Sequence, residues 1–299
     1  TMLLDAAVDM EEGCRKAGLR YVLHVARDGH RPSVMKAFSQ SASCIITDLF
    51  PLPPWTNWVD SIAASAACPV FDVDCHCVIP MPLFGKSVDR PYKFRDATKK
   101  MRKKRLQATW PTIEARPEAY TGPLPFEPVN VNEDIKNLSK RFELLSKCSI
   151  DPSVLPVWHE RGGEKEALSK WQRFYDKGLN GYARRRNNAA DPTGVSRLSA
   201  AFHYGFLSPM RVAREAAAVG TKSAEKYLDE LLIFREHPWH HIFAASDPYD
   251  ASNLPEWALQ SWRETSDDPR VVRLKDHEME YAASPLTLWN LCQRSLLRH

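Results

Sequence analysis

Two residue pairs and two short clusters stand at spacings that can do chemistry. Tyr182 and Arg186 are four residues apart, and so are Glu230 and Phe234, each pair inside a helical pattern that brings it onto one face. Glu230 sets a carboxylate one turn from an aromatic ring, although Asp229 beside it equally fits a solvated acidic face. Ser196 and Ser199 precede an apolar stretch, where serine hydroxyls cap helices. The run Arg184, Arg185 and Arg186 reads as a solvated basic face. Cys75, His76 and Cys77 supply metal-type donors, but alternate strand positions point to opposite faces and no second pair completes a set. No metal ligand is therefore expected. The seven cysteines, an odd number, read as reduced structural thiols. Lys86 to Arg105 gathers ten basic residues against Asp89 and Asp96, either a solvated helix face or a patch facing phosphates.

The elements that must position these residues fall into two styles. In the first 80 residues, apolar spacing predicts helices over Leu3–Lys16, stopped by Gly18, over Pro32–Ser41, and over Trp55–Ala67. Between them lie short β-branched or aromatic runs, Tyr21–Ala26, Cys44–Thr47 and Val70–Asp74, that read as strands. Alternating strands and helices imply βαβ units and a parallel sheet in an α/β domain, whose ligands sit at the carboxyl ends of the strands. No glycine-rich phosphate loop is present to claim a nucleotide for this half.

From about residue 116 to 156, prolines 117, 123, 125, 128, 152 and 156 mark a connector, with one helix over Asp134–Lys147 inside it. Beyond Gly163 the pattern is helical: Glu164–Lys177, Ser208–Val219, Ser223–Arg235, Glu256–Arg263 and Pro285–Leu297, with Ser223 as an N-cap and Pro209 at a first helical position. Pro238 should stop or kink the third of these near His237, since proline costs a helix interior about 3 kcal/mol. The expected domains are 1–115, α/β; 116–156, connector; and 157–299, all-α.

Hydrophobic residues at 43% and charged residues at 26% describe a globular chain able to bury a core. A net charge of +4 is too mild to argue nucleic-acid binding alone. No apolar run approaches the roughly 20 residues of a membrane span, and Thr1 opens no secretory pattern, so an intracellular setting is expected. The chain starts directly in a helix-like segment, which leaves room for an upstream part.

Three blocks carry an identity: GGEKEALSKWQRFYDKGLNGYARRRN (162–187), GVSRLSAAFHYGFLSPMRVAREA (194–216) and SAEKYLDELLIFRE (223–236). In order and spacing they resemble the DNA photolyase and cryptochrome family, nearest its class II branch of cyclobutane-dimer photolyases. Weaker similarity continues through PEWALQSW (255–262) and PLTLWNLCQ (285–293), and TDLFPLPPWTNWVD (47–60) fits the family's antenna-side domain. The resemblance implies a Rossmann-like N-terminal domain and an all-α, FAD-binding C-terminal domain.

It also implies roles. FAD would be held by the serine turn Ser196, Arg197, Leu198 and Ser199, by Tyr182, and by Arg235 of the family's RE pair; Arg197 stands where the family commonly has asparagine. Glu230 would hydrogen-bond the damaged bases, with Arg186 nearby, and Phe234 would flank the flipped-out dimer where tryptophan is usual. Trp289 matches an early member of an electron-transfer chain. The family's first strand would precede residue 1, and much of its last helical region would follow His299. The expected function is light-driven electron transfer from FAD to cyclobutane pyrimidine dimers in UV-damaged DNA. The alternative is a catalytically silent photolyase-fold subunit, with protein partners covering the incomplete helical domain; a cryptochrome-type light sensor is a third reading.

Overall fold

The computed structural model describes residues 1–109, 118–151, 153–157 and 159–298. Residues 116 and 117, where the proline-rich connector begins, and Pro152 within it lie outside the described residues. Contacts divide the chain into a large unit, Thr1–Ile150 with Arg161–Pro248, and a small one, Asp151–Glu160 with Tyr249–His299.

The large unit opens with α1 (Met2–Lys16), which ends as its sequence dictates. Gly18 takes φ +73°, its N–H reaches the Arg15 carbonyl, and the Leu19 N–H reaches that of Cys14, the paired bonds of a Schellman motif. There follow α2 (Val34–Phe38), β1 (Ile45–Asp48), α3 (Trp55–Ser65), β2 (Val70–Val73), α4 (Met81–Phe84) and α5 (Pro91–Gln107). β1 and β2 pair in parallel with Ile45 opposite Val70 and Asp48 opposite Val73, so both strands end at one edge. The sheet has these two strands only among the described residues. The expected strand Tyr21–Ala26 does not form: Leu23 makes a single antiparallel bridge to Val129, because propensity without a neighbouring strand gives no ladder.

The connector's helix begins as a π-helical turn, Val131–Ile135, before α6 (Leu138–Ser146), each capped by an asparagine side chain, Asn130 and Asn137. Leu4, Val129, Val131, Ile135 and Leu144 form a small core there. The helical part then runs α7 (Glu164–Lys177), α8 (Tyr182–Arg185), α9 (Ser199–His203), α10 (Pro209–Val219), α11 (Lys222–Asp229), a π-helical turn over Glu230–Phe234, and α12 (Glu236–Phe243). α7 buries Ala167, Trp171 and Phe174, spaced four and three apart as one face requires. They join Leu179, Tyr182, Leu198, Val212, Ala213, Ala216, Tyr227 and Leu231 in the main core. Full burial of a side chain such as Leu179 contributes about 1.5–3 kcal/mol.

One capping expectation and one helix-breaking expectation are corrected. Thr221, not Ser223, is the N-cap of α11, its hydroxyl accepting the Ala224 N–H at 3.3 Å, while Ser223 accepts the Ala183 N–H at 3.4 Å. Pro238 does not stop the helix. The interruption comes earlier, where the Arg235 N–H reaches back to the Glu230 carbonyl at 3.0 Å, and Pro238 falls in the first turn of α12, where an absent N–H is harmless.

The small unit holds α13 (Glu256–Thr265), α14 (Asp276–Glu280) and α15 (Thr287–Arg298). Buried Asn290 ties the start of α15, its amide donating to the Ser284 carbonyl at 2.6 Å and its oxygen accepting the Ser284 hydroxyl at 2.7 Å. No helix among the described residues is long and apolar enough to cross a membrane.

Candidate functional site

Aromatic packing positions the first group of side chains. The Tyr227 ring lies near-parallel to Trp171 at 5.8 Å, and Tyr182 meets it edge-on at 5.1 Å. Burial pushes the Tyr227 phenol up, so it keeps its proton and donates to Ser196 Oγ at 3.2 Å. The serine turn is thereby anchored to α11. Leu198 is buried in the core, whereas Arg197 and Ser199 are exposed. Arg197 sits at φ +53°, a conformation that glycine and asparagine adopt readily and arginine does not. The donors of this turn, two hydroxyls and a guanidinium with no carboxylate among residues 195–199, fit an anionic group such as a pyrophosphate.

The second group surrounds Glu230. Arg186 Nη1 lies 3.0 Å and Lys226 Nζ 2.8 Å from the same oxygen, Oε1. Among the described residues Oε2 has no partner. Glu230's bond in turn holds the Lys226 ammonium above its ordinary value. The Lys226 amine also stands 5.4 Å over the ring of Phe234, which is 46% exposed. Asp229 takes two bonds from Arg95 at 2.9 and 2.7 Å, fastening α5 beside this cluster. The basic run on α5 is therefore divided: Arg95, Arg102 and Arg105 make structural bonds, while Lys99, Lys100, Lys103 and Lys104 are exposed.

The structure thus brings Tyr182 and Ser196 together through Tyr227, and Arg186, Glu230 and Phe234 together through Lys226. Arg235 is engaged elsewhere, donating to the His76 carbonyl at 2.6 Å with its guanidinium 5.4 Å from the Phe202 ring centre. Trp289 belongs to the small unit, half-buried on α15.

A third cluster, at the carboxyl ends of the strands, was not expected from the sequence. Asp74 accepts the N–H groups of His76 and Cys77, both at 2.9 Å, and of Met81 at 2.7 Å, which folds the segment after β2 into a tight loop. Buried His76 lies 2.7 Å from Asp48 at the end of β1 and stacks on Trp239 at 4.5 Å. Fully buried Glu236 accepts the Val78 N–H at 2.7 Å and the Ile79 N–H at 3.3 Å. Burial outweighs those bonds and pushes its carboxyl up to about 8. Burial also raises the Cys77 thiol and lowers the His240 imidazole, which favours the neutral ring. The run Cys75, His76 and Cys77 and the position of Asp48 and Asp74 at strand ends signalled part of this cluster in the sequence, whereas nothing local signalled Glu236 or His240.

The chain is 26% identical over 295 residues to the deoxyribodipyrimidine photo-lyase of Methanothermobacter thermautotrophicus, covering 99% of this chain and 62% of that protein. It is 26% identical over 270 residues to that of Arabidopsis thaliana, covering 86% and 52%. The fold matches a cryptochrome from Synechocystis with a TM-score of 0.67 at 14% identity, covering 99% of this chain and 59% of that one. It matches a bacterial class III photolyase from Agrobacterium tumefaciens with a TM-score of 0.59 at 18% identity, covering 100% and 59%. No protein-family model matches. The chain spans 52% to 62% of the length of these curated relatives. By sequence it is a relative of the deoxyribodipyrimidine photo-lyases, and by fold it stands with the photolyases and cryptochromes.

Proposed function

We propose that this chain is a photolyase-like flavoprotein of the class II kind, holding FAD and acting on cyclobutane pyrimidine dimers in UV-damaged DNA. The observation that carries the reading is the half-committed carboxylate of Glu230. Arg186 and Lys226 fix Oε1, which leaves Oε2 open beside the exposed ring of Phe234. A fixed acceptor next to a flat apolar face is what a flipped-out pyrimidine dimer needs, a hydrogen-bond partner for a base edge and a packing surface for a ring. Ser196, Arg197 and Ser199 would hold the pyrophosphate, Tyr182 would wall the cofactor beside Leu198, and Arg235 would steady that wall from behind. Exposed lysines 99, 100, 103 and 104 would take the DNA backbone, which makes binding salt-dependent. When bound, FAD would supply the light-driven electron that opens the dimer, and Trp289 would relay electrons toward it.

The test is the visible spectrum of the purified chain with and without added FAD, followed by illumination with a dimer-containing oligonucleotide. Bound flavin and dimer loss are expected. Glu230→Ala should keep its flavin and weaken dimer binding about 10- to 100-fold, the value of one hydrogen bond to a charged group. Absence of flavin absorbance together with failure to bind added FAD would overturn the reading.

One observation favours the silent-subunit alternative: Leu288, Leu291 and Leu296 of α15 are 76%, 56% and 71% exposed. Apolar surface of this kind suits a protein partner. A monodisperse monomer at high concentration counts against it.

A further inference from the structure

Cys77, Glu236 and His240 converge in the large unit from two distant stretches of chain. The Cys77 sulfur, a Glu236 carboxylate oxygen and a His240 ring nitrogen lie within 4.8 Å of one another. The three residues are 6%, 0% and 1% exposed. His240 is the anomaly among them. Phe94 packs against it at 4.8 Å and Phe84 at 5.3 Å, and neither ring nitrogen has a hydrogen-bond partner. The Ile79 backbone is near enough to bear on the ring without bonding it in acceptable geometry. Buried polar atoms without partners are rare, and each one invites a search for an absent ion or solvent. Glu236 repeats the pattern, a fully buried carboxyl whose hydrogen bonds among the described residues come from the Val78 and Ile79 backbone, with Arg235 and Arg102 near enough to act on its charge but not within ion-pair distance.

The supporting bonds already aim the donors. Glu236 and His240 are four residues apart on α12 and share a face. Cys77 is set opposite them by Asp74, which holds its N–H at 2.9 Å, and by Glu236 itself, which holds the next N–H of the loop. Each Glu236 oxygen spends one lone-pair direction on a backbone donor and keeps another. Such outer bonds are what orient ligands in metal centres.

We propose that Cys77, Glu236 and His240 form a structural binding site for a zinc-type divalent ion, which clips the loop after β2 to α12. The donor set of one sulfur, one nitrogen and one oxygen suits a borderline-soft ion. A thiolate and a carboxylate cancel its two positive charges, so the assembled centre is neutral and can stay buried. Tetrahedral zinc sets its ligand atoms about 3.4–3.6 Å apart, so atoms that already lie within 4.8 Å of one another need only a small closure around the ion. The fourth position goes to the second Glu236 oxygen or to solvent. This site has no part in the flavin or DNA reading above and stands or falls apart from it.

The test uses the full chain, without a histidine tag, stripped with a chelator and titrated with zinc chloride or cobalt chloride. Expected are one metal ion per chain by elemental analysis, tetrahedral cobalt bands with near-ultraviolet thiolate charge transfer, and a rise in Tm on adding zinc. Cys77→Ser should abolish the charge transfer, and both it and His240→Asn should weaken binding at least about tenfold, the usual result of losing a first ligand or its support. Exposed Cys75→Ser should bind as the parent does. A stripped parent chain whose cobalt complex lacks thiolate charge transfer overturns the proposal, and this measurement needs no variant to fold. Equal cobalt affinity in the parent, Cys77→Ser and His240→Asn overturns it as well.

Discussion

Glu236→Ala tests whether the buried carboxyl is a mainstay of the large unit even with no metal bound. The wild-type oxygens take the Val78 and Ile79 N–H groups at 2.7 and 3.3 Å in a place that water does not reach. Alanine leaves both donors unpaired. At about 1–3 kcal/mol for each orphaned buried donor, the loss is about 2–6 kcal/mol, a large part of the roughly 5–15 kcal/mol that holds an ordinary domain together. Glu236→Gln keeps one acceptor and turns an amide N–H₂ toward the other backbone donor, so it should lose about half as much. The assay is urea unfolding in chelator, followed by the fluorescence of tryptophans such as fully buried Trp171. The midpoint should fall in the order parent, Gln, Ala with the slope unchanged. An alanine variant within about 1 kcal/mol of the parent, or a glutamine variant less stable than the alanine one, would refute the reasoning.

Ser199→Trp should strip flavin from the chain by filling the serine turn; unchanged flavin content removes Ser199 from the site. Phe234→Ala should weaken binding of a dimer-containing single strand by about 1–3 kcal/mol, the worth of one aromatic–base stack, measured by fluorescence anisotropy. Arg197→Gly should raise stability by about 1 kcal/mol, because the side chain at φ +53° is relieved; an unfolding midpoint that falls would show that the Arg197 side chain contributes more than its backbone costs. The Glu12 carboxyl is held down to about 2 by its bonds to Lys16 and Lys165, so its stabilising effect is complete above the ordinary carboxylate range and lost as pH falls through about 2. Lys165→Met should move that titration upward in a carboxylate-resolved NMR experiment.

Legibility followed the range of the interactions. The helix over Glu164–Lys177 has the bounds that its apolar spacing predicts, because a face of Ala167, Trp171 and Phe174 is written at helical intervals. Cys44–Thr47 and Val70–Asp74 were visible as short apolar runs, and parallel strands form there over Ile45–Asp48 and Val70–Val73. Tyr21–Ala26 is also rich in β-formers but, among the described residues, has only Val129 opposite Leu23, and a strand is a property of the pair. Pro238 was legible as a helix breaker, yet the π-helical turn at Glu230–Phe234 placed it where a first turn tolerates proline.

The same argument sorts the site. Glu230 and Phe234 stand four residues apart, and sequence alone sets them near one another; that Arg186 and Lys226 both fix one oxygen of Glu230 depends on α8 packing against α11, which no local pattern encodes. The bond between Val78 and Glu236 spans 158 positions. Read locally, Cys77 is half of an incomplete pair with Cys75, and the lack of a second pair argues against a metal. Folding supplies the remaining donors from α12 instead, using the two residues of that helix whose burial is hardest to justify by packing. A carboxyl and an imidazole buried side by side weaken the hydrophobic drive of the very interface they occupy. Their presence there is best explained by a ligand that satisfies both, and the cobalt spectrum of the stripped chain decides whether that ligand is a metal ion.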